Sequence, residues 1–356
     1  MPHTLSAPLG IYLHIPFCDG KCPYCDFYSE RGTEEEKDAY VSALCRSLDD
    51  WGNTLSRPAA DTVYFGGGTP SLLGKRLVTV LSAAKEAFAV TESAEVTAEC
   101  NPRSSSGDLF AVLREGGFNR LSVGVQSFDG AELAFLGRRH TAEDALATLA
   151  EAKAAGFANI SLDLMINLPG QTTETLARSL SMAVEAGPTH ISVYMLKHEE
   201  HTAFASVAPI DEDEAARQYL FVCETLEKAG FGQYEISNFA RPGFESRHNL
   251  KYWHLENTLG IGPAAHSFVN GKRFFYPRDT AAFLRGDEPI PDGVGGTEEE
   301  RVMLGLRLTE GVDASETLLS RAAPFLRAGL MTCDGTRLRF TREGFLVSNT
   351  ILAELI

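Results

Sequence analysis

Between residues 10 and 205 short runs rich in β-branched and aromatic residues alternate with longer stretches of helical period. The strand candidates are 11–15, 62–65, 95–99, 120–125, 160–166 and 190–195. Helix candidates fill the intervals at 35–51, 75–88, 107–115, 142–155 and 173–185. Strand followed by helix, repeated, predicts parallel strands with crossover helices on the outer face. A closed barrel needs eight such units. Six predict an α/β fold with an open, partial (β/α)6 TIM-like barrel. Chemistry on such a barrel gathers at the C-terminal ends of the strands.

Past Pro209 the pattern changes. Residues 212–229 read as an amphipathic helix and 232–268 as a mixed region with glycines and aromatics. Residues 286–297 hold Gly286, Gly293, Gly295, Gly296, Pro289 and Pro291, which predicts a loop or boundary. A helix at 298–308, a strand at 337–341 and a helix at 342–356 suggest a small C-terminal helical, winged-helix-like module. The expected division is therefore 1–209 for the barrel and 210–356 for the C-terminal region. No internal repeat or low-complexity segment stands out.

Apolar residues make up 44% of the 356, enough for a sizeable core. The net charge of −16 argues against general nucleic-acid binding, which needs a basic footprint. It is compatible with a local basic pocket for a carboxylated ligand. Seven cysteines, mostly solitary, suit a reducing cytoplasm. Residues 1–10 show no basic segment followed by an apolar run, so no export signal is expected. No run of 18 apolar residues occurs, so no transmembrane segment is expected, while peripheral membrane association stays open.

Three of the cysteines stand together after the first predicted strand: Cys18, Cys22 and Cys25, in His14-Ile15-Pro16-Phe17-Cys18-Asp19-Gly20-Lys21-Cys22-Pro23-Tyr24-Cys25. A zinc site would want a second cysteine pair, but Cys45, Cys100, Cys223 and Cys333 are isolated. A disulfide framework belongs to small secreted chains. Clustered thiolates hold iron–sulfur clusters. Three ligands on a four-iron cubane leave one iron open to a reactive group. Further candidates close the next strands. Gly66-Gly67-Gly68-Thr69 lets backbone approach a ligand and offers carbonyls to an ammonium; a tight turn would use the same residues. Glu99, Gln126 and Asp163 end or interrupt the third, fourth and fifth strands, and Arg138 lies 12 residues beyond Gln126. A guanidinium fork suits a carboxylate, and an acid inside an apolar run needs a partner. The ordinary alternatives are a solvated loop for Glu99, the surface for Arg138, and a structural pair for Asp163. Cys100 reads as a small buried residue.

The C-x3-C-x2-C spacing and the flanking Tyr12-Leu13-His14-Ile15-Pro16-Phe17 resemble the radical SAM superfamily, in particular its coproporphyrinogen-oxidase-like branch. The resemblance implies a [4Fe-4S] cluster on Cys18, Cys22 and Cys25, with S-adenosylmethionine (SAM) on the open iron. It implies Gly67, Gly68 and Thr69 at the SAM amino group, with Glu99, Gln126, Arg138 and Asp163 around the rest. Tyr12 and Tyr24 belong to the same set. The coproporphyrinogen dehydrogenases of this branch extend the motif to C-x3-C-x2-C-x-C and carry a longer N-terminal segment. Here Phe27 holds the fourth position, and 17 residues precede Cys18. Those departures point to the heme-chaperone sister group. The segment His248-Asn249-Leu250-Lys251-Tyr252-Trp253 resembles that group's HNxxYW element. It implies heme binding through His248, with His254 and His266 as other candidate ligands and a hydrogen-bonded structural histidine as the alternative. Heme transfer to respiratory heme-accepting proteins is implied. Two enzyme readings stay open beside it, a radical SAM methyltransferase using two SAM molecules and a coproporphyrinogen III dehydrogenase.

Overall fold

Alternation along the first strand shows how the sheet is built. In β1 (Leu9–Ile15), Leu9, Ile11, Leu13 and Ile15 enter the main apolar core, while Gly10, Tyr12 and His14 face the other way. The structure is a computed structural model and describes residues 7–356. Residues 1–6, part of the stretch read for an export signal, lie outside the described residues.

Five more strands follow in the same sense: β2 (Ala59–Gly67), β3 (Ala89–Cys100), β4 (Arg120–Gln126), β5 (Asn159–Ile166) and β6 (His190–Met195). They pair in sequence order and in parallel. The connections carry α1 (Glu34–Thr54), α2 (Arg76–Ala87), α3 (Gly107–Gly116), α4 (Gly130–Phe135), α5 (Ala142–Ala154) and α6 (Thr173–Glu185). The helices begin where their caps dictate. Thr33, Thr141 and Thr172 each form a capping box with the third helical residue. All six expected strands and all five expected helices are present, and the parallel sheet is not closed.

The sheet does not stop at residue 209. After α7 (Glu212–Lys228), the short strands β7 (Gly232–Gln233) and β8 (Asn238–Ala240) extend it beyond β6. After α8 (Arg247–Trp253), strand β9 (Thr258–Ile261) pairs parallel with β1, from Gly10↔Thr258 to Leu13↔Ile261. Then β10 (His266–Val269), β11 (Lys272–Phe275) and, past α9 (Thr280–Arg285), β12 (Ile290–Val294) continue antiparallel. The sheet thus has twelve strands in the order β12-β11-β10-β9-β1-β2-β3-β4-β5-β6-β8-β7. Residues 286–297, expected to be a loop or boundary, contain a strand and end where the C-terminal unit begins. Pro291 and Gly293 mask the strand's signal, and only its place on the edge tolerates them.

The remainder is a small unit of α10 (Glu298–Gly305), β13 (Val312–Asp313), α11 (Glu316–Arg327), β14 (Met331–Asp334), β15 (Arg337–Phe340), α12 (Arg342–Leu346) and α13 (Ser348–Leu355). Its three strands form a separate sheet in the order β13-β15-β14. A bridge between Glu235 and Leu308 and the pair His254–Glu310 join it to the large sheet's region.

The barrel's inner face is polar. Thr62 and Tyr64 on β2, Glu95, Thr97 and Glu99 on β3, Ser122 on β4, Asp163 on β5 and Ser192 on β6 alternate with the apolar outward residues. Buried polar groups need partners, and α8 provides some. It lies across the N-terminal ends of the strands. Its first two amides, Arg247 N–H and His248 N–H, donate to Glu95 at 3.2 and 3.1 Å. Lys251 then pairs with Asp61 at 2.9 Å and donates to the Pro8 carbonyl at 3.1 Å. The opposite end of the barrel, where the strand C-termini and the cysteine loop lie, is left for chemistry.

Candidate functional site

The cysteine loop leaves β1 at the C-terminal end of the barrel and is pinned at its base. Cys18 N–H donates to the Glu30 carbonyl at 2.9 Å, and Glu30 N–H to that of Pro16 at 2.7 Å. Within the loop, Cys25 N–H donates to the Cys22 carbonyl at 3.1 Å, a turn that brings these two residues together. All three thiols are free and partly exposed. The far side of the loop is held by residues distant in sequence. Arg278 donates to the Asp26 carboxylate at 3.1 Å and to its carbonyl at 3.2 Å, and Thr280 N–H donates to the Tyr28 hydroxyl at 3.1 Å. Among the described residues, no three histidine, cysteine or acidic side chains converge as ligands of a single ion would. A cubane makes no such demand, because each thiolate binds a different iron. Three sulfurs on one loop suit that group and do not suit a lone zinc.

The glycine turn stands against this loop. Gly68 N–H donates to the Ile15 carbonyl at 2.8 Å and Thr69 N–H to that of Phe17 at 2.7 Å. A Cβ at Gly68 would lie 2.6 Å from the Phe17 carbonyl oxygen, so only glycine permits this approach. Thr69 Oγ1 sits 3.4 Å from Cys18 Sγ and accepts from Asn101 Nδ2 at 3.0 Å. Asn101 Oδ1 in turn accepts from Arg138 at 2.6 Å, and Arg138 also reaches the Gly124 carbonyl at 2.5 Å and Cys22 Sγ at 3.7 Å. Arg138 is therefore a neighbour of the cysteine loop, and one of its nitrogens is already spent on two acceptors. Gln126, with φ of 70°, turns the chain at the end of β4 where the register with β5 shifts. Tyr24 packs towards Phe204, in a small apolar cluster beneath the loop.

Deeper in the barrel two carboxylates face one another. Glu99 accepts from the Tyr64 hydroxyl at 2.8 Å and from Gly67 N–H at 3.1 Å. Burial, and then the Asp163 charge, push its carboxyl up to about 7 against those donors. Burial pushes the Asp163 carboxyl up to about 6, against the nearby Ser192 and Ser122 hydroxyls that favour its charged form. Tyr12 stacks on Tyr64 with ring centroids 6.1 Å apart. Tyr194 and Tyr252 keep 42% and 39% of their surface, yet burial raises both phenols. The inner face thus sets two carboxylates among phenols, with the buried Arg120 guanidinium near both.

The candidate heme histidines part company. His248 is 1% exposed, with Nδ1 2.8 Å from Thr62 Oγ1 and Nε2 2.9 Å from the Tyr252 hydroxyl. Burial, then the Lys251 and Arg120 cations, hold it down to about 3, so it is a neutral ring with both nitrogens engaged. His254 lies 2.8 Å from Glu310 and 3.9 Å from Glu256. His266 is exposed at the start of β10 and stacks on Phe275 at 5.3 Å.

Five residues of this site escape a reading of the sequence. Asn101, which links Thr69 to Arg138, carries no motif. Tyr64 is a strand tyrosine whose alternation with apolar neighbours was its one signal. Arg278 and Asp26 are 252 positions apart. Arg120, 1% exposed at the start of β4, has no hydrogen-bond partner for Nε or Nη1 among the described residues.

The model of the radical SAM superfamily matches residues 12–183, and that of the HemN C-terminal domain matches residues 299–347. A protein named heme chaperone HemW from Mycobacterium tuberculosis is 37% identical over 98% of this chain and 95% of its own length. The heme chaperone HemW of Escherichia coli is 38% identical over 78% of this chain and 76% of its own. A mitochondrial protein of Bos taurus, radical S-adenosyl methionine domain-containing protein 1, is 40% identical over 85% of this chain and 65% of its own. Among solved structures, coproporphyrinogen III oxidase (HemN) of Escherichia coli aligns over 98% of this chain and 90% of its own. Its TM-score is 0.85 at 24% identity, a likeness of fold.

Proposed function

The chain belongs to the radical SAM superfamily and, within it, to the HemW family, and on that premise we propose that it is a heme chaperone. It holds a [4Fe-4S] cluster and SAM, binds heme, and passes heme to respiratory heme-accepting proteins. What carries this reading is the likeness to a protein named heme chaperone along nearly the whole of both chains. Phe27 supports it: this side chain is 65% exposed where the dehydrogenases of the branch have a fourth cysteine, so the loop offers three thiols and an apolar tip.

The residues fit the cofactors. Cys18, Cys22 and Cys25 are the thiolate donors. Arg138 beside Cys22 offsets negative charge on the ligand set. Gly67 and Gly68 keep side chains out of the space between the loop and β2, and their carbonyls accept from an ammonium. Glu99 and Asp163 face a positive group with carboxylates that burial makes less acidic than usual. Binding of a cation there favours their ionised forms. Tyr12 and Tyr64 supply flat apolar surface beside them. Bound together, cluster and SAM supply one-electron cleavage of a sulfonium carbon–sulfur bond. The chain's own part is to bind, orient and keep water from that bond.

The test is anaerobic reconstitution followed by two parallel incubations, one with hemin and one with SAM and coproporphyrinogen III. Retained heme without protoporphyrinogen formation is the expected result. Decarboxylation of the coproporphyrinogen would overturn it. Cys22→Ala should lose the visible iron–sulfur absorption in the same preparation; full cluster content would remove Cys22 from the ligand set.

A further inference from the structure

Burying an ion is costly unless a partner meets it, and one ion inside this barrel is met by none at close range. Arg120 opens β4 and is 1% exposed. Its Nε and Nη1 are buried without a hydrogen-bond partner, and no carboxylate pairs with it among the described residues. Thr97, its cross-strand neighbour on β3, also has a buried hydroxyl without a partner. A fold gains no stability from a desolvated charge that nothing contacts. Such a charge does supply a field, weakly screened by water and not cancelled by a counter-ion in contact.

The sheet register shows where that field falls. Arg120 and Ser122 are successive inward positions on β4, about 7 Å apart along the strand. Ser122 lies level with Glu99 on β3, and its hydroxyl favours the charged form of Asp163. The arginine side chain is long enough to cover that step. Its charge opposes burial at both Glu99 and Asp163, and it adds to burial in holding His190 and His248 neutral. The groups that face Arg120 in return are Glu95, Tyr64, Tyr234 and Asp163. Glu95 is already engaged with two amides of α8. Burial pushes the Tyr64 and Tyr234 phenols up, so both stay neutral. Around Glu99 stand Tyr64, Gly67 N–H and Asp163; around Asp163 stand Ser192, Ser122 and Arg138. Arg138 is the second cation near the pair, and it is bound to Asn101 and the Gly124 carbonyl. Glu99 and Asp163 are therefore the groups whose charge is left for Arg120 to set.

Resting on the SAM site described above and deepening it, we propose that Arg120 is a positioning residue of that site: from the strand N-terminal side of the barrel its unpaired charge holds Glu99 and Asp163 as carboxylates for a cation. With Arg120 in place the two carboxyls sit at about 7 and about 6. Without it both rise further, because a neighbouring positive charge favours the ionised acid. Arg120 does not touch the cation and by itself repels it. Its help comes only through the two acids, and only in the pH range where they titrate.

The test sets Arg120→Met, which removes the charge and keeps the bulk, beside Arg120→Lys, which keeps the charge. One readout is the protonated-carboxyl infrared band of the apoprotein followed with pH, assigned with Glu99→Gln and Asp163→Asn. The other is SAM affinity of the reconstituted protein by calorimetry over the same range. Arg120→Met should move both midpoints up by about one unit or more. At neutral pH that weakens SAM binding roughly fivefold, since about a tenth of Glu99 is then ionised in place of about half. The loss should fade in mild alkali, where both acids are ionised with or without Arg120. Arg120→Lys should stay near wild type. Circular dichroism checks that each variant is folded, and Arg120→Gln takes the place of Arg120→Met if that one is not. A merely structural role would weaken binding by one factor at every pH and leave the infrared midpoint unmoved, and that result would overturn the proposal. An Arg120→Lys variant shifted as far as Arg120→Met would overturn it too, since charge would then not be the cause. A wild type that binds no SAM would overturn the reading of the site and the cation's part in this proposal. The infrared shift needs no cofactor, so it would still show Arg120 acting on the two carboxyls.

Discussion

Gly67 has φ of 110°, and a Cβ there would lie 2.6 Å from a carbon of the His14 ring. Gly67→Ala should therefore strain the turn by about 1–3 kcal/mol and displace either His14 or the turn. The expected outcome is a folded protein with weakened SAM binding, read by calorimetry; unchanged affinity would mean that the glycine serves the turn alone. Glu99 offers a test by pH. Its carboxyl sits at about 7 in the folded chain against an ordinary 4.5. Between those values the folded state holds the extra proton, so this group makes stability fall as pH rises. Binding a cation has the opposite sign, since it needs the carboxylate. SAM affinity should therefore climb with pH towards about 7 and level off above it. Glu99→Gln should flatten that dependence and weaken binding by roughly tenfold, one pKa unit's worth of interaction. Tyr64, Asp163 and Arg120 face the same carboxylate and stay in place. A wild-type profile without slope would remove Glu99 from the cation's surroundings. Cys18, Cys22, Cys25, Gly67 and Glu99 were legible because short-range spacing and strand ends mark them. Asn101 and Arg278 were not, because their roles exist only through partners brought in by the fold.

The helix α8 shows what an element can hide. Its seven residues contain the HNxxYW motif, but its position depends on a carboxylate from another strand. Glu95 accepts both leading amides of α8 and is 5% exposed. Glu95→Ala should cost about 2–4 kcal/mol, since it leaves buried donors unpaired. Urea unfolding checks this; a loss below half a kcal/mol would mean that water replaces the carboxylate. The six parallel strands were readable from their apolar runs and intervening helices. Strand β12 was not, because Pro291 and Gly293 speak for a turn and its pairing with β11 is tertiary. Strand β9 has four residues in a glycine-rich stretch, and its place beside β1 has no local signature.

At the scale of the molecule, the change of pattern at residue 209 is a change of local composition rather than an end to the sheet. Leu259 and Ile261 are fully buried in the same core as Leu13 and Phe65. A fragment of residues 1–209 would lack β9 beside β1, β8 beside β6 and α8 across the strand N-termini. It should fail to fold cooperatively, as read by circular dichroism and size-exclusion chromatography. A soluble fragment with a sharp thermal transition would show the first six strands to be self-sufficient. The sequence by itself determined the alternation that makes a parallel sheet, the three-cysteine loop after its first strand, and the candidate residues at successive strand ends. These are legible because periodicity and spacing act over a few residues. Only the tertiary structure decided that twelve strands share one sheet, that Arg278 holds the cysteine loop, and that burial raises the Glu99 and Asp163 carboxyls. It alone showed His248 with both ring nitrogens engaged. Pairing partners, burial and hydrogen-bond satisfaction depend on contacts between distant segments, and no local pattern encodes them.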